Sequence, residues 1–493
     1  MKFAVLATVS AHLSLVALAC ADHPPRYVYP RQAPPPSSSG GSTPPPSSPA
    51  PVPSSSGLVV PTGSSSVNAT ATGNVTAIGN ATSVTQISVS LISTNPTAVP
   101  LASITAQQVS SATIPLPSTA TPGVTPSTIP NAPALPDISG LVNSNYPPLD
   151  RPPPTNSSEV QQWIQEVQNS GFSIPNISVT VGSAACSANP DAVADTSRCW
   201  WTCGGCTRDT DIVACPDTLH WGLTYDDGPA FYTPNLLQYL DDHQLKTTFF
   251  TIGSRILEFP HTLQTEYMGG HQIGVHTWSH PPLTTLTNEE IIAEFGWTKK
   301  ITKDVLGVTP NTFRPPFGDI DDRVRTIALA MGLRPVIWTR LSTTATFDTG
   351  DFNINAGTIS SSQVVENFNE IIGNATSIDT GFIVLEHDLF EQTVELATGY
   401  ILPQALAHQP AFNITPVISC LNMPMANAYI ETNDNSTNPP PSGSLTSGGA
   451  ASTGSSSASS AAAPTALPSL LPAQALIVSC IVGALLGVGS LML

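Results

Sequence analysis

Between residues 220 and 385 short apolar runs alternate with longer stretches in which apolar positions recur every three or four residues. The short runs, at 220–224, 247–251, 272–275, 312–314, 335–338 and 382–385, predict strands. The longer patterns, at 234–243, 288–306 and 323–331, predict helices. Strands alternating with helices predict an α/β fold with a parallel sheet or barrel. Such folds place their chemistry on polar residues just past the strand ends. Upstream, Ser157 is placed to cap a short helix over 159–169.

The same pattern fails at both ends of the 493-residue chain. Residues 1–21 carry one early lysine, Lys2, an apolar run and a small-residue close, which predicts a secretory signal peptide. Residues 22–140 are rich in Pro, Ser and Thr with few charges, a composition expected to stay unfolded as an O-glycosylated stalk. Residues 141–215 form a cysteine-containing lead-in, 216–430 the globular domain, and 431–468 a second Ser/Thr-rich linker. Residues 469–493 are almost wholly apolar, and no Lys or Arg follows Arg340. Small residues, a polar spacer and a terminal apolar tail predict a GPI signal whose tail is removed, leaving the protein anchored to the membrane and cell wall.

Composition narrows the partners. Lys and Arg total 16 against 34 Asp and Glu, a net charge of -18. Nucleic acid is excluded, because it needs basic patches, while a neutral polymer is compatible. Six cysteines remain between the two terminal signals: Cys186, Cys199, Cys203, Cys206, Cys215 and Cys420. In a secreted chain these predict three disulfides, with the pairing left open. Eight Asn-x-Ser/Thr sequons fit the same compartment.

Four strand ends carry candidate chemistry. Thr224-Tyr225-Asp226-Asp227-Gly228-Pro229 puts two carboxylates at one strand end, enough for one metal ligand and one base. The bland alternative is a turn with solvated acids. His276-Thr277-Trp278-Ser279-His280 spaces two imidazoles to chelate one ion, or else holds one packed and one surface histidine. In Arg314-Pro315-Pro316-Phe317-Gly318 the prolines stiffen a loop that aims Arg314. Leu385-Glu386-His387-Asp388 ends a strand with a histidine able to donate a proton.

In this order, the motifs resemble the polysaccharide deacetylase family (carbohydrate esterase family four, NodB homology domain). The wording of 276–286 looks most like fungal chitin deacetylases. The resemblance covers roughly two-fifths of the chain, residues 220–427. It implies a distorted, incomplete (β/α) barrel that hydrolyses N-acetyl groups of chitin. Asp227, His276 and His280 would bind one divalent metal, zinc foremost and cobalt as another ion this set takes. Asp226 would be the general base, oriented by Arg314, and His387 the general acid. Phe317 would offer its N–H to the oxyanion. Leu385, Trp278 and Phe352 would contact substrate. The family's Asp-x-x-Asp-Trp is met here as Asp348-Thr349-Gly350-Asp351-Phe352, farther from Trp338 than usual, with Asp351 the expected partner of His387.

Two rival functions compete with this reading. The same chemistry would suit another acetylated polymer, such as peptidoglycan-type N-acetylglucosamine or acetylated xylan. A non-catalytic glycan-binding wall protein would not need all of Asp226, Asp227, His276, His280, Arg314 and His387.

Overall fold

The computed structural model describes residues 89–442. The expected signal peptide, the first part of the stalk and the terminal apolar tail lie outside the described residues. Among the described residues no helix is long and apolar enough to cross a membrane.

The strands are short and parallel: β1 (His220–Gly222), β2 (Thr224–Asp226), β3 (Thr248–Thr251), β4 (Gln272–Val275), β5 (Thr312–Phe313), β6 (Arg334–Pro335), β7 (Phe382–Ile383) and β8 (Asn413–Thr415). Strands β2 to β6 form one sheet in sequence order, and β1 lies between β7 and β8 in a second. Parallel neighbours need crossovers. Helices Thr233–Asp242, Asn288–Leu306 and Asp322–Ala330 lie where the periodicity places them, within a residue. Helices Gly253–Glu258, Pro260–Met268 and Ser361–Ala375 had no comparable signal.

The run expected as one strand at 220–224 is shared between the two sheets. His220–Gly222 pairs with β7 and β8, whereas Thr224–Asp226 pairs with β3. An isolated parallel bridge from Asp226, at the end of β2, to His387, beyond β7, links the two sheets at the site, and a second joins Asp348 to Leu385. Among the described residues the strands do not close into one ring, so the barrel is incomplete, as expected.

Helix Asn288–Leu306 shows how local chemistry sets an element. Thr287 and Glu290 form a reciprocal capping box at its start, and Gly307 at φ +81° ends it. Its buried face carries Ile291, Ile292 and Phe295, and also Glu294. The six cysteines pair as Cys186–Cys203, Cys199–Cys206 and Cys215–Cys420. The third lies on Gly222, where an added Cβ would come within 3.2 Å of the Cys420 sulfur.

Two boundaries need correction. The stalk was expected to run free to residue 140, yet its described part, from residue 89, packs onto the domain. Ile104, Ile129 and Leu135 are buried in the main core. The Ser111 amide donates to Glu391 Oε1 at 2.9 Å, and Tyr232 donates to the Ser111 carbonyl at 2.7 Å. The physical reason is that a few isoleucines and leucines suffice when a preformed surface covers them. Each fully buried one contributes about 1.5–3 kcal/mol, and prolines restrict the unfolded chain. Likewise the domain does not stop at 430. Thr309 donates through its backbone N and Oγ1 to Glu431, and Asn438 is buried against the Asn427 carbonyl.

If 89–140 is part of the folded unit, Leu135→Ala should cost about 2–4 kcal/mol. A urea unfolding curve reads this as a lower midpoint. A free stalk would leave the midpoint unchanged.

Candidate active site

The sequence motifs converge at the strand ends. Asp226 closes β2, and Asp227 follows it in a left-handed conformation, φ +78°. Thr277 (φ +64°), His280 (φ +57°) and Phe317 (φ +60°) share that conformation. Residues with a Cβ adopt it at a cost of order 1–3 kcal/mol, so the surroundings must hold each one.

Asp227, His276 and His280 present one ligand atom each within 4.8 Å of one another. Asp227 Oδ1 lies 3.3 Å from Nε2 of His276 and 3.3 Å from Nε2 of His280. Donors arranged tetrahedrally at about 2.0–2.2 Å from one ion sit roughly 3.3 Å apart. Both Asp227 oxygens are buried with no hydrogen-bond donor among the described residues. Burial works to raise the pKa of this carboxyl, but His280 and His276 hold it well below the usual range. Nδ1 of His276 donates to the Arg314 carbonyl at 2.8 Å, which turns Nε2 toward the cluster. The three residues therefore fit a divalent cation.

Arg314 serves the second carboxylate as well. Its guanidinium is fully buried, and Nη1 donates at 2.8 Å to both Asp226 Oδ1 and Thr224 Oγ1. It lies 4.4 Å over the Phe250 ring. Asp226 Oδ2 remains directed toward the cluster, 3.8 Å from His276 Nε2.

Across the site, His387 Nδ1 donates to Asp351 Oδ1 at 2.7 Å, and the His387 amide donates to Asp351 Oδ2 at 2.9 Å. Burial alone would lower the pKa of this imidazole. The Asp351 charge and hydrogen bond outweigh it, helped by Asp227 and Asp226, and push it up to about 10. The pairing expected for the altered Asp-x-x-Asp-Phe stretch is thus present. Phe352 packs 5.2 Å from the His387 ring, and the Phe317 ring meets His280 edge-on at 4.6 Å. Leu385 is buried, in the apolar cluster that also holds Trp201 and Trp338.

Trp278 is a correction. The resemblance implies that it contacts substrate, but its side chain is fully buried. It stacks on Tyr146 and donates from Nε1 to the Pro148 carbonyl at 3.0 Å. The left-handed turn at Thr277 rotates it away from the two histidines and into the core.

Two residues escaped the sequence reading. Glu294 accepts from the Trp278 and Ser279 amides at 2.8 and 2.9 Å and from Ser279 Oγ at 2.6 Å, so it anchors the loop between the histidines. A carboxylate on the apolar face of a helix was a legible signal. Asp388 accepts from the Gly228 amide at 3.1 Å and from Thr233 Oγ1, holding the turn after Asp227. A Cβ at Gly228 would fall 2.3 Å from an Asp388 oxygen, which explains the glycine.

Residues 214–336 match the family model described as polysaccharide deacetylase. That stretch includes Asp226, Asp227, His276, His280, Arg314 and Phe317 and ends before Asp351, Leu385 and His387. The chain is 56% identical over 310 residues to chitin deacetylase 1 of Cryptococcus neoformans var. grubii, covering 62% of this chain and 64% of that one. It is 38% identical over 263 residues to the chitin deacetylase of Amylomyces rouxii, covering 50% and 59%. The match thus spans less than two thirds of these relatives' length. The solved chitin deacetylase of Colletotrichum lindemuthianum aligns over 46% of this chain and 97% of its own, with TM-score 0.41 and 27% identity.

The His387–Asp351 pair sets a pH dependence. A histidine whose folded pKa is raised from 6.5 to about 10 contributes stability below its unfolded pKa and loses it as pH climbs through the folded one. Asp351→Asn should bring the His387 titration, followed by NMR of its ring protons, down by about one unit or more. An unmoved titration would break the assignment of the pair.

Proposed function

We propose that the protein is a metal-dependent chitin deacetylase, hydrolysing N-acetyl groups to give chitosan and acetate at the cell surface. One observation carries this reading. A buried three-ligand cluster lies between a carboxylate held by a buried arginine and an imidazolium held by a second carboxylate.

An amide is a weak electrophile with a poor leaving group, so its hydrolysis needs both a base and an acid. A divalent ion held by Asp227, His276 and His280, with zinc as our assignment, supplies Lewis-acid polarisation and acidifies water when bound. Asp226 Oδ2 takes the proton of the attacking water. Arg314 keeps Oδ1 occupied, so the carboxylate cannot rotate away. The Phe317 N–H stabilises the developing oxyanion, an interaction typically worth about 3 kcal/mol. His387 gives its Nε2 proton to the departing amine, and Asp351 keeps that imidazole charged until it does. Leu385 and Phe352 form the wall that meets the acetyl methyl and the sugar.

Secretion, the GPI anchor and cell-wall glycans as partners complete the proposal. Three disulfides suit an oxidising compartment, and the net charge of -18 attracts a polyamine product rather than repelling it.

The test is acetate release from N-acetylchitooligosaccharides by the whole protein, with chelator and with zinc restored. Release that stops on chelation and returns with zinc supports the reading. A folded, zinc-loaded protein that releases none removes chitin as substrate. Asp226→Asn should lower turnover by at least about 10³-fold while the bound metal per chain stays constant. Retained turnover would show that another group is the base.

A further inference from the structure

Phe317 and Gly318 form two consecutive left-handed positions, φ +60° and +64°, in the turn proposed to face the oxyanion. Something must hold that turn, and the contacts come from the cysteine-rich lead-in. Asp319 is fully buried and its carboxylate takes four donors: Trp200 Nε1 at 2.8 Å, Thr202 Oγ1 at 2.9 Å, and the backbone N and Oγ1 of Thr284 at 2.8 and 2.7 Å. Trp200 and Thr202 belong to the lead-in. Thr284 lies in the short turn Leu283–Thr285, which follows His280. One carboxylate therefore ties the lead-in to the turn after His280 and to the Phe317 turn.

Shape repeats what the hydrogen bonds show. A Cβ added at Gly318 would meet the Trp201 ring at 2.2 Å and the Trp338 ring at 3.0 Å, so both indoles lie directly on the turn. The Trp201 amide donates to the Ile320 carbonyl at 3.0 Å. Just beyond the turn, Arg198 pairs with Asp321 at 2.8 Å, both buried. Arg325 reaches back to Asp211 and to the carbonyls of Cys199 and Cys206. Cys186–Cys203 and Cys199–Cys206 fix the lead-in itself.

We propose that the disulfide-stapled lead-in, acting through Trp200, Thr202 and Asp319, is a positioning element for the Phe317 turn. The reaction then depends on a segment that precedes the matched deacetylase stretch, which starts at residue 214. None of the three side chains touches the reacting atoms. They act by keeping the Phe317 N–H where charge develops, and small displacements of such a donor lower turnover more than binding. The effect on turnover rests on the deacetylase reading, whereas the effect on the turn does not.

The test uses the full chain with Thr202→Val, which removes one donor to Asp319 at nearly constant volume, and Trp200→Phe, which removes another with a smaller ring. Thr202→Ser keeps the hydroxyl. The Gly318 and Asp319 amides are hydrogen-bonded within the turn, to the carbonyls of Pro315 and Pro316 at 2.9 Å each, so their hydrogen exchange reports on it. Both donor-deleting variants should speed that exchange roughly ten-fold while amides of β4 stay protected. The kcat should fall about five-fold or more with KM and bound metal unchanged, and Thr202→Ser should behave as wild type. Unchanged exchange in both variants, or faster exchange with unchanged kcat, overturns the proposal. If Trp200→Phe fails to fold, the Thr202→Val and Thr202→Ser pair decides alone. If wild type releases no acetate but the variants still loosen the turn, the deacetylase reading falls and the positioning of the turn stands.

Discussion

A carboxylate buried without donors is costly unless positive charge meets it. Asp227 is in that position, with both oxygens bare of hydrogen bonds and two imidazoles 3.3 Å away. The local structure is organised around this constraint. Asp388 holds the turn that follows it, Glu294 anchors the loop that brings His280 over it, and the Arg314 carbonyl fixes the ring of His276. Several left-handed residues collect at the same place, as expected where function needs geometry that the backbone would not choose.

The neighbouring carboxylate has the opposite environment. Asp226 meets a buried guanidinium that also bonds Thr224, two residues back on the same face of β2. Adjacent aspartates at a strand end both reach the cluster, although strand side chains alternate, because Asp227 leaves the strand in a left-handed turn. One fragment of sequence thereby yields a metal-ligand candidate and a base candidate. The Arg314 side chain serves the base, and its carbonyl serves a ligand of the cluster. Damage to that one residue would reach both.

The terminal arms alter the picture of a domain on a stalk. The described part of the Pro- and Thr-rich segment lies against helices Thr233–Asp242 and Glu391–Leu396, and the lead-in lies against the Phe317 turn. Low hydrophobicity is a poor guide to disorder when the partner surface is already formed by the rest of the chain. The few isoleucines and leucines in such a segment bury themselves without needing a core of their own.

Much of the site was legible in the residues. Asp226, Asp227, His276, His280, Arg314 and His387 stand in local motifs whose spacing and strand-end placement survive folding, because parallel strands bring their C-terminal ends to one side. Strand β4 and helix Asn288–Leu306 were equally legible, since periodicity and a capping box are local signals. What only the tertiary structure decided depends on distant partners. The Cys215–Cys420 pairing, the docking of residues 89–140, the inward turn of Trp278, the split of 220–226 between two sheets and the convergence of Trp200, Thr202 and Thr284 on Asp319 all depend on residues far apart in sequence. No local pattern encodes these contacts, because which surface a side chain meets depends on where the whole chain has gone.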